Sequence, residues 1–322
     1  MTSVVVLGSA NADLVVEVSR RPGGGETLTG SDLRVYPGGK GANQAAAAAR
    51  AGATVRFLGC VGNDANATVL HESLSDAGVD LTGVRSVDRA TGTAMILITP
   101  DGENSIVVSP GANHSLDPDL ADEMADTWQG PNVLVMNLEI PLETVHHVVP
   151  KAAAARARII LNAAPAHALN AELLTHCDPL IVNEHEARIV LRESNPDVSY
   201  PDLAKRLLEA GARSVVITLG PEGSLVADSH GVQAVPAYRV QVLDTTGAGD
   251  AFVGATACEL ANGKTLIEAV RFATAMSALS VQSMGAQSSY PDRADVERLL
   301  DSPSNATTVA NETEPPREPS AH

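Results

Sequence analysis

The feature that most constrains this chain is its rhythm. Short β-branched runs ("SVVVLG", "TVRFLGCVG", "NVLVMNLE", "RIILNAAP", "PLIVNEHEARIVL", "SVVITLG") alternate with helical stretches such as "GANQAAAAARAG" and "ANATVLHESLSDAG". Apolar runs separated by helices mark buried parallel strands. The expected fold is α/β: a doubly wound, mostly parallel sheet flanked by helices, with ligands beyond the carboxyl ends of the strands. Two segments break the rhythm. "DLVVEVSRRPGGGETLTGSDLRVYPGG" and "GTAMILITPDGENSIVVSPGAN" read as strand, turn, strand with Gly or Pro-Asp-Gly turns. Segments 13–36 and 91–110 are therefore assigned to a small β-sheet lid, able to close a cleft or to pair with another subunit's sheet. Residues 1–301 read as one domain, and the Pro-, Ser- and Glu-rich tail 302–322 as disordered. Pro150, inside "PLETVHHVVPKAAAARA", predicts a kinked or interrupted helix.

Composition narrows the partners. Aromatic residues make up only 2% of the 322, so the core must be built from Ala, Val, Leu and Ile, and few platforms exist for stacking bases. A formal net charge of −17 argues against nucleic acid and acidic membrane surfaces. Cys60, Cys177 and Cys258 are scattered without disulfide or zinc spacing, which points to a reducing cytoplasm. The apolar run in "MTSVVVLGSAN" is too short for a signal peptide, and no stretch reaches the ~18 apolar residues of a membrane span. A soluble, cytoplasmic protein is expected.

"VLDTTGAGDAF" (242–252) gathers small residues around one carboxylate just ahead of an apolar helix. Such residues expose backbone N–H groups, and the helix start adds its dipole, so Gly247, Ala248 and Gly249 form a seat for an anion. A carboxylate at that seat, Asp250, makes chemical sense as a base removing a proton beside a bound phosphate. "YPGGKGANQ" sets Gly38, Gly39 and Gly41 before an alanine-rich helix, with Asn43 projecting alongside. That arrangement suits a polyhydroxy ligand or an ordinary helix start. Asn11 and Asp13, placed at the end of the first strand, suit vicinal hydroxyls or an Asx-rich turn. Glu139 in "MNLEIP" stands at the ligand-bearing end of the sheet, or serves as a charge at a helix N-terminus. Asn183 and Glu186 in "VNEHEA" suit magnesium and phosphate, or a capping box. Thr218, Gly220 and Gly223 in "TLGPEGS" form a bed for nucleotide phosphates or a simple turn. "GKT" at 263–265 is no Walker loop, because Cys258 stands where that loop needs Gly, and neither G-x-G-x-x-G nor G-x-S-x-G occurs.

Together and in this order, "NAD", "GGGETLTG", "GGKGANQA", "LEIP", "LNAAPA", "NEHEA", "TLGPEG", "DTTGAGDAF" and "GAQSSYP" resemble the ribokinase family of PfkB-type carbohydrate kinases, from about Val4 to Leu300. "DTTGAGDAF" alone marks only the wider superfamily. The resemblance implies a ribokinase-like fold and ATP-dependent phosphorylation of D-ribose at its 5-hydroxyl. It makes Asp250 the base and Gly247, Ala248 and Gly249 the anion hole. It matches Asn11, Asp13, Gly39, Lys40, Gly41, Asn43 and Glu139 with sugar binding, and Asn183, Thr218, Gly220, Gly223 and Gly249 with ATP. Glu186 matches an indirect magnesium contact, and Asp244, Thr246, Ser280, Ser283, Gly285 and Ser289 match a monovalent cation site, taken as K+. A homodimer through the lid sheet is implied as well. The chain departs from the family at Val182, where Pro is usual, at the glycine-rich "RRPGGGE", and at Thr274 near the adenine position. Deoxyribose, a ketohexose or adenosine are the alternative acceptors, and a non-catalytic sugar sensor is the reading from another class.

Overall fold

The computed structural model describes residues 3–101, 104–128, 130 and 132–302. The tail expected to be disordered lies outside them from residue 303, as does Gly102 of the Pro-Asp-Gly turn. The strands in chain order are β1 (Ser3–Leu7), β2 (Asn11–Glu17), β3 (Arg34–Gly38), β4 (Thr54–Val61), β5 (Asp80–Ser86), β6 (Gly92–Ile98), β7 (Asn104–Ser109), β8 (Val133–Asn137), β9 (Arg158–Asn162), β10 (Cys177–Asn183), β11 (Val215–Thr218), β12 (Ser224–Asp228) and β13 (Gly231–Val235). Nine of them form one sheet in the order β13-β12-β11-β10-β9-β8-β1-β4-β5, parallel from β11 to β5 and closed at the other edge by the antiparallel pair β12 and β13.

Alternation along the strands builds two cores. Val4 and Val6 of β1 face one way, into a cluster with Val55, Phe57, Val135 and the helices Lys40–Arg50, Ala248–Ala261 and Leu266–Ser280. Val5 and Leu7 face the other way, with Leu58, Met136, Ile159 and the only tryptophan, Trp128. Each face of the sheet is covered, as its uninterrupted apolar strands require. With few aromatics, closeness replaces bulk. A Cβ on Gly254 would stand 2.5 Å from the Gln44 carbonyl oxygen and 2.7 Å from the Ala47 Cβ, so the Lys40 and Asp250 helices touch backbone to backbone.

The segments that broke the rhythm form a four-stranded sheet in the order β3-β2-β6-β7. Val35, Leu14, Met95 and Val107 are register partners across it, and Val35, Met95 and Val107 are exposed.

Two expectations change. Asn11 and Asp13 do not end the first strand: the chain leaves β1 at Leu7, and Asn11 opens β2 in the small sheet, because Gly8 to Ala10 lack the strand pairing of their neighbours. The helix Leu142–Ala154 runs uninterrupted through Pro150. A proline there removes one hydrogen bond, to the carbonyl of His146, and the buried Val145, Val148, Val149 and Ala152 on the same helix hold it in place. Among the described residues no helix is long and apolar enough to cross a membrane.

Candidate active site

The site is assembled where the two sheets meet. Gly247, at φ 73°, turns the chain into the helix Ala248–Ala261, and a Cβ there would lie 2.6 Å from the Tyr290 hydroxyl oxygen. That turn leaves Asp250 in the first helical turn, buried, where Asn43 Nδ2 donates to its Oδ2 at 3.0 Å and Gln44 Nε2 to its Oδ1 at 3.0 Å. Burial pushes its pKa above the ordinary carboxylate range, Glu139 adds to that, and Lys40 and the two amides oppose it.

Asp13, Asn11 and Glu139 reach the same region from β2 and from the loop after β8. Glu139 Oε2 accepts from Ser9 Oγ at 2.6 Å, from the Lys40 backbone N–H at 3.1 Å and from Asn11 Nδ2 at 3.5 Å. Glu139 thus ties both sheets to the start of the Lys40 helix. Asp13 is pushed up to about 7 by burial and by the neighbouring charges of Glu139 and Asp250. The glycines of this turn are packing requirements too. A Cβ on Gly39 would lie 2.5 Å from the Asn11 nitrogen, and one on Gly41 2.6 Å from the Ser9 nitrogen.

Two cavities meet here. The smaller, about 170 Å³, is lined by Lys40, Asn162, Asn183, Glu186, Gly247 and Asp250, among others. The larger, about 620 Å³ and mostly apolar, includes Gly220, Gly223, Tyr238, Phe252 and Thr274. Thr218 and Gly249 line both. Within the larger one, the hydroxyls of Thr274 and Ser277 donate to the carbonyls of Val270 and Ala248, so neither is left as a free donor toward a ligand.

Several of these residues have neighbours beyond those expected. Lys40 lines the smaller cavity with Asn183, Glu186 and Asp250. Burial works against its charge, yet the carboxylates of Asp250, Glu139 and Glu186 hold its pKa above the usual value. Asn183 and Glu186 form the capping box as well as lining that cavity: Glu186 N–H donates to Asn183 Oδ1, and Asn183 N–H to Glu186 Oε2, both at 2.8 Å. Ala248 is the weakest member of the expected anion hole, since its N–H is directed at the Thr245 carbonyl at 3.2 Å. Gly223, at φ 98°, is required by the close approach of the Val235 carbonyl oxygen.

For a monovalent cation, segments 244–246 and 280–285 lie together. Asp244 accepts from the Thr246 N–H (2.9 Å) and hydroxyl (2.6 Å) and from the Gly285 N–H (2.8 Å), and its N–H donates to the Val281 carbonyl. The hydroxyls of Ser280 and Ser289 donate to carbonyls of Ser277 and Ala286, which leaves their oxygens as acceptors. One carboxylate among hydroxyl and carbonyl oxygens is a donor set for a hard cation of low charge. No group of three or more His, Cys, Asp or Glu able to hold a metal occurs among the described residues.

Ser9, Gln44, Asn113, Asn162 and Gln287 were not singled out by sequence. Asn113 orients Asn11, donating to its Oδ1 at 2.7 Å, and Gln287 Nε2 donates to Asn43 Oδ1 at 3.0 Å. Gln44 and Gln287 do lie inside the quoted motifs "GGKGANQA" and "GAQSSYP", the one signal that pointed toward them.

A nine-stranded α/β sheet with a small second sheet, and a buried carboxylate at a glycine-rich helix start, define a kinase of small hydroxylated molecules. The chain belongs to the pfkB family of carbohydrate kinases, whose model matches residues 1–293. Within that family it is similar to the ribokinase of Bacillus subtilis, 40% identical over 93% of this chain and 100% of that one. Among solved structures it is similar to Thermotoga maritima ribokinase (TM-score 0.87, 36% identity, 94% of this chain and 100% of that one). It is likewise similar to Arabidopsis thaliana ribokinase complexed with ribose and ATP (TM-score 0.86, 34% identity, 93% and 99%).

Proposed function

We propose that the protein transfers the γ-phosphoryl group of ATP to the 5-hydroxyl of D-ribose, giving D-ribose 5-phosphate and ADP. The observation that carries this reading is the buried Asp250, held by two amides beside Gly249, where the two cavities join. The larger cavity suits the nucleoside end of ATP, and Asn11, Asp13, Asn43 and Glu139 supply the short polar side chains that a pentose requires.

The sugar oxygen attacks the γ-phosphorus in line as its proton passes to Asp250. The new O–P bond forms as the bond to ADP breaks, with no phosphoenzyme. Catalysis is then mainly positioning and electrostatics. The N–H groups of Gly247 and Gly249, the helix dipole and the Lys40 ammonium face the equatorial oxygens. Asn183, Thr218, Gly220 and Gly223 hold the nucleotide, and Glu186 would contact, indirectly, a magnesium ion brought with ATP. Such a magnesium ion would neutralise phosphate charge, and Asp244, Thr246, Ser280, Ser283, Gly285 and Ser289 would hold a potassium ion that supplies further positive field. Residues 13–36 and 91–110 act as the lid, whose closure excludes water as a competing acceptor. Two copies pair through the exposed apolar row of the small sheet. The setting is cytoplasmic.

The test is ADP release with ribose, 2-deoxyribose, fructose and adenosine, with and without potassium, for the wild type and Asp250→Asn. Ribose is expected to be preferred, and the variant to bind both substrates while kcat falls by about 10² or more. A preference for adenosine, or near-normal turnover by Asp250→Asn, overturns the reading.

A further inference from the structure

Gln44 is buried in the Lys40 helix with no accessible surface, an unusual place for a primary amide in a row of alanines. Its surroundings fix its orientation. Asn162 Nδ2, at the end of β9, donates to the carbonyl of Ile181 at 3.2 Å, which turns Asn162 Oδ1 toward Gln44. Gln44 Nε2 then faces two acceptors at 3.0 Å each, Asn162 Oδ1 and Asp250 Oδ1, and uses both of its hydrogens. Turning the amide over would set its oxygen against both. The Oε1 that results from the observed orientation is buried without a hydrogen-bond partner in the structure, a cost that simple space-filling does not explain.

We infer that Gln44 is a positioning residue for phosphoryl transfer: a chain of fixed polarity, from the Ile181 carbonyl through Asn162 to Gln44, presents an obligatory donor to Asp250 Oδ1. The inference rests on Asp250 being the base. Because Gln44 and Asp250 lie on two helices that touch at Gly254, the carboxylate is fixed by both the sheet and the helix pair. Asn43 holds the other oxygen from the same turn of the Lys40 helix. Each carboxylate oxygen has two lone pairs, so both donors leave room for the incoming proton.

The donor also favours the charged form, against burial. The ionisable groups coupled to Asp250 are Asp13 from β2, Lys40 from its helix, Glu139 after β8, Glu186 from the helix Glu184–Leu191 and Tyr290 near the C-terminal helix. None of them is altered by a change at position 44.

The variant is Gln44→Met, unbranched and of similar length. The expected result is a ~10- to 100-fold fall in kcat with KM for ribose and ATP within about 3-fold, because a misdirected base costs turnover and not binding. The acid limb of kcat is expected to move up by about 1 pH unit, since a lost donor to the carboxylate raises its pKa. A purely structural role lowers Tm without moving that limb. If Gln44→Met does not fold, Asn162→Ala, which removes the preceding link, is expected to move the limb in the same direction by a smaller amount. An unmoved limb in the folded variant, or a raised KM at unchanged kcat, overturns the inference while Asp250→Asn remains inactive. An active Asp250→Asn overturns the base assignment and Gln44's role with it.

Discussion

Gly249 separates folding from catalysis in a way that one substitution exposes. It is the second residue of the Asp250 helix, its backbone is not in the left-handed region, and a Cβ built on it meets no atom within 4 Å. An alanine there therefore strains nothing, and Gly→Ala in a helix contributes about 0.5–1 kcal/mol by restricting the unfolded chain. For a chain of this size that raises Tm by roughly 1–3 °C. Gly249 lines both cavities, and on the proposed function the methyl group stands where the γ-phosphoryl has to pass. A displacement of about 1 Å in reacting geometry costs ~10²-fold, so Gly249→Ala is expected to lose at least that much kcat/KM. Thermal denaturation and a coupled ADP assay on the same preparation measure both effects. Gly247→Ala is the control: at φ 73°, with its Cβ 2.6 Å from Tyr290, it is expected to lower Tm by several degrees. Activity of Gly249→Ala within 3-fold of wild type, or a fall in its Tm, refutes the placement of the transferring group.

Two further outcomes follow from other parts of the molecule. Met95→Lys puts a charge beside the exposed Val35 and Val107 and the half-buried Leu14, and is expected to convert the proposed dimer to a monomer in analytical ultracentrifugation, with Tm lowered by loss of the partner. An unchanged sedimentation coefficient removes this face as the interface. Asp13, raised to about 7 in the fold from an ordinary 3.8, contributes stability that is fully present below pH 4 and lost as pH rises through 7. Asp13→Asn is expected to flatten the decline in ligand-free stability between pH 4 and 8, by an amount on the order of 4 kcal/mol at most, followed by the pH dependence of Tm. A decline as steep as that of wild type counts against the buried, charge-crowded setting of Asp13.

Fold and site were legible to different depths. The parallel sheet was readable because strands such as Val4–Leu7 and Val133–Met136 are apolar on both faces, a pattern that an α/β layer requires. The carboxylate at a helix start was readable because glycine and charge together carry local meaning. The residues that orient the site were not. Gln44 lies in the quoted "GGKGANQA" but nothing local says what its amide does, and Asn113 and Asn162 act on Asn11 and Gln44 across the fold, 102 and 118 positions away. Their roles come from which acceptors tertiary packing leaves unpaired. The same holds for Asn183 and Glu186, where local reading offered capping or phosphate chemistry and the fold allows both. Pro150 did not interrupt its helix, because burial of one helix face outweighed a single lost hydrogen bond.

The break between β1 and β2 means that Asn11 and Asp13 sit on one sheet and Asp250 on a helix packed against the other. A molecule gripped by both groups is a rivet between two plates, and its affinity includes whatever work aligns them. Bracing the smaller plate from outside, as a second subunit would, tightens or loosens the rivet without touching its head.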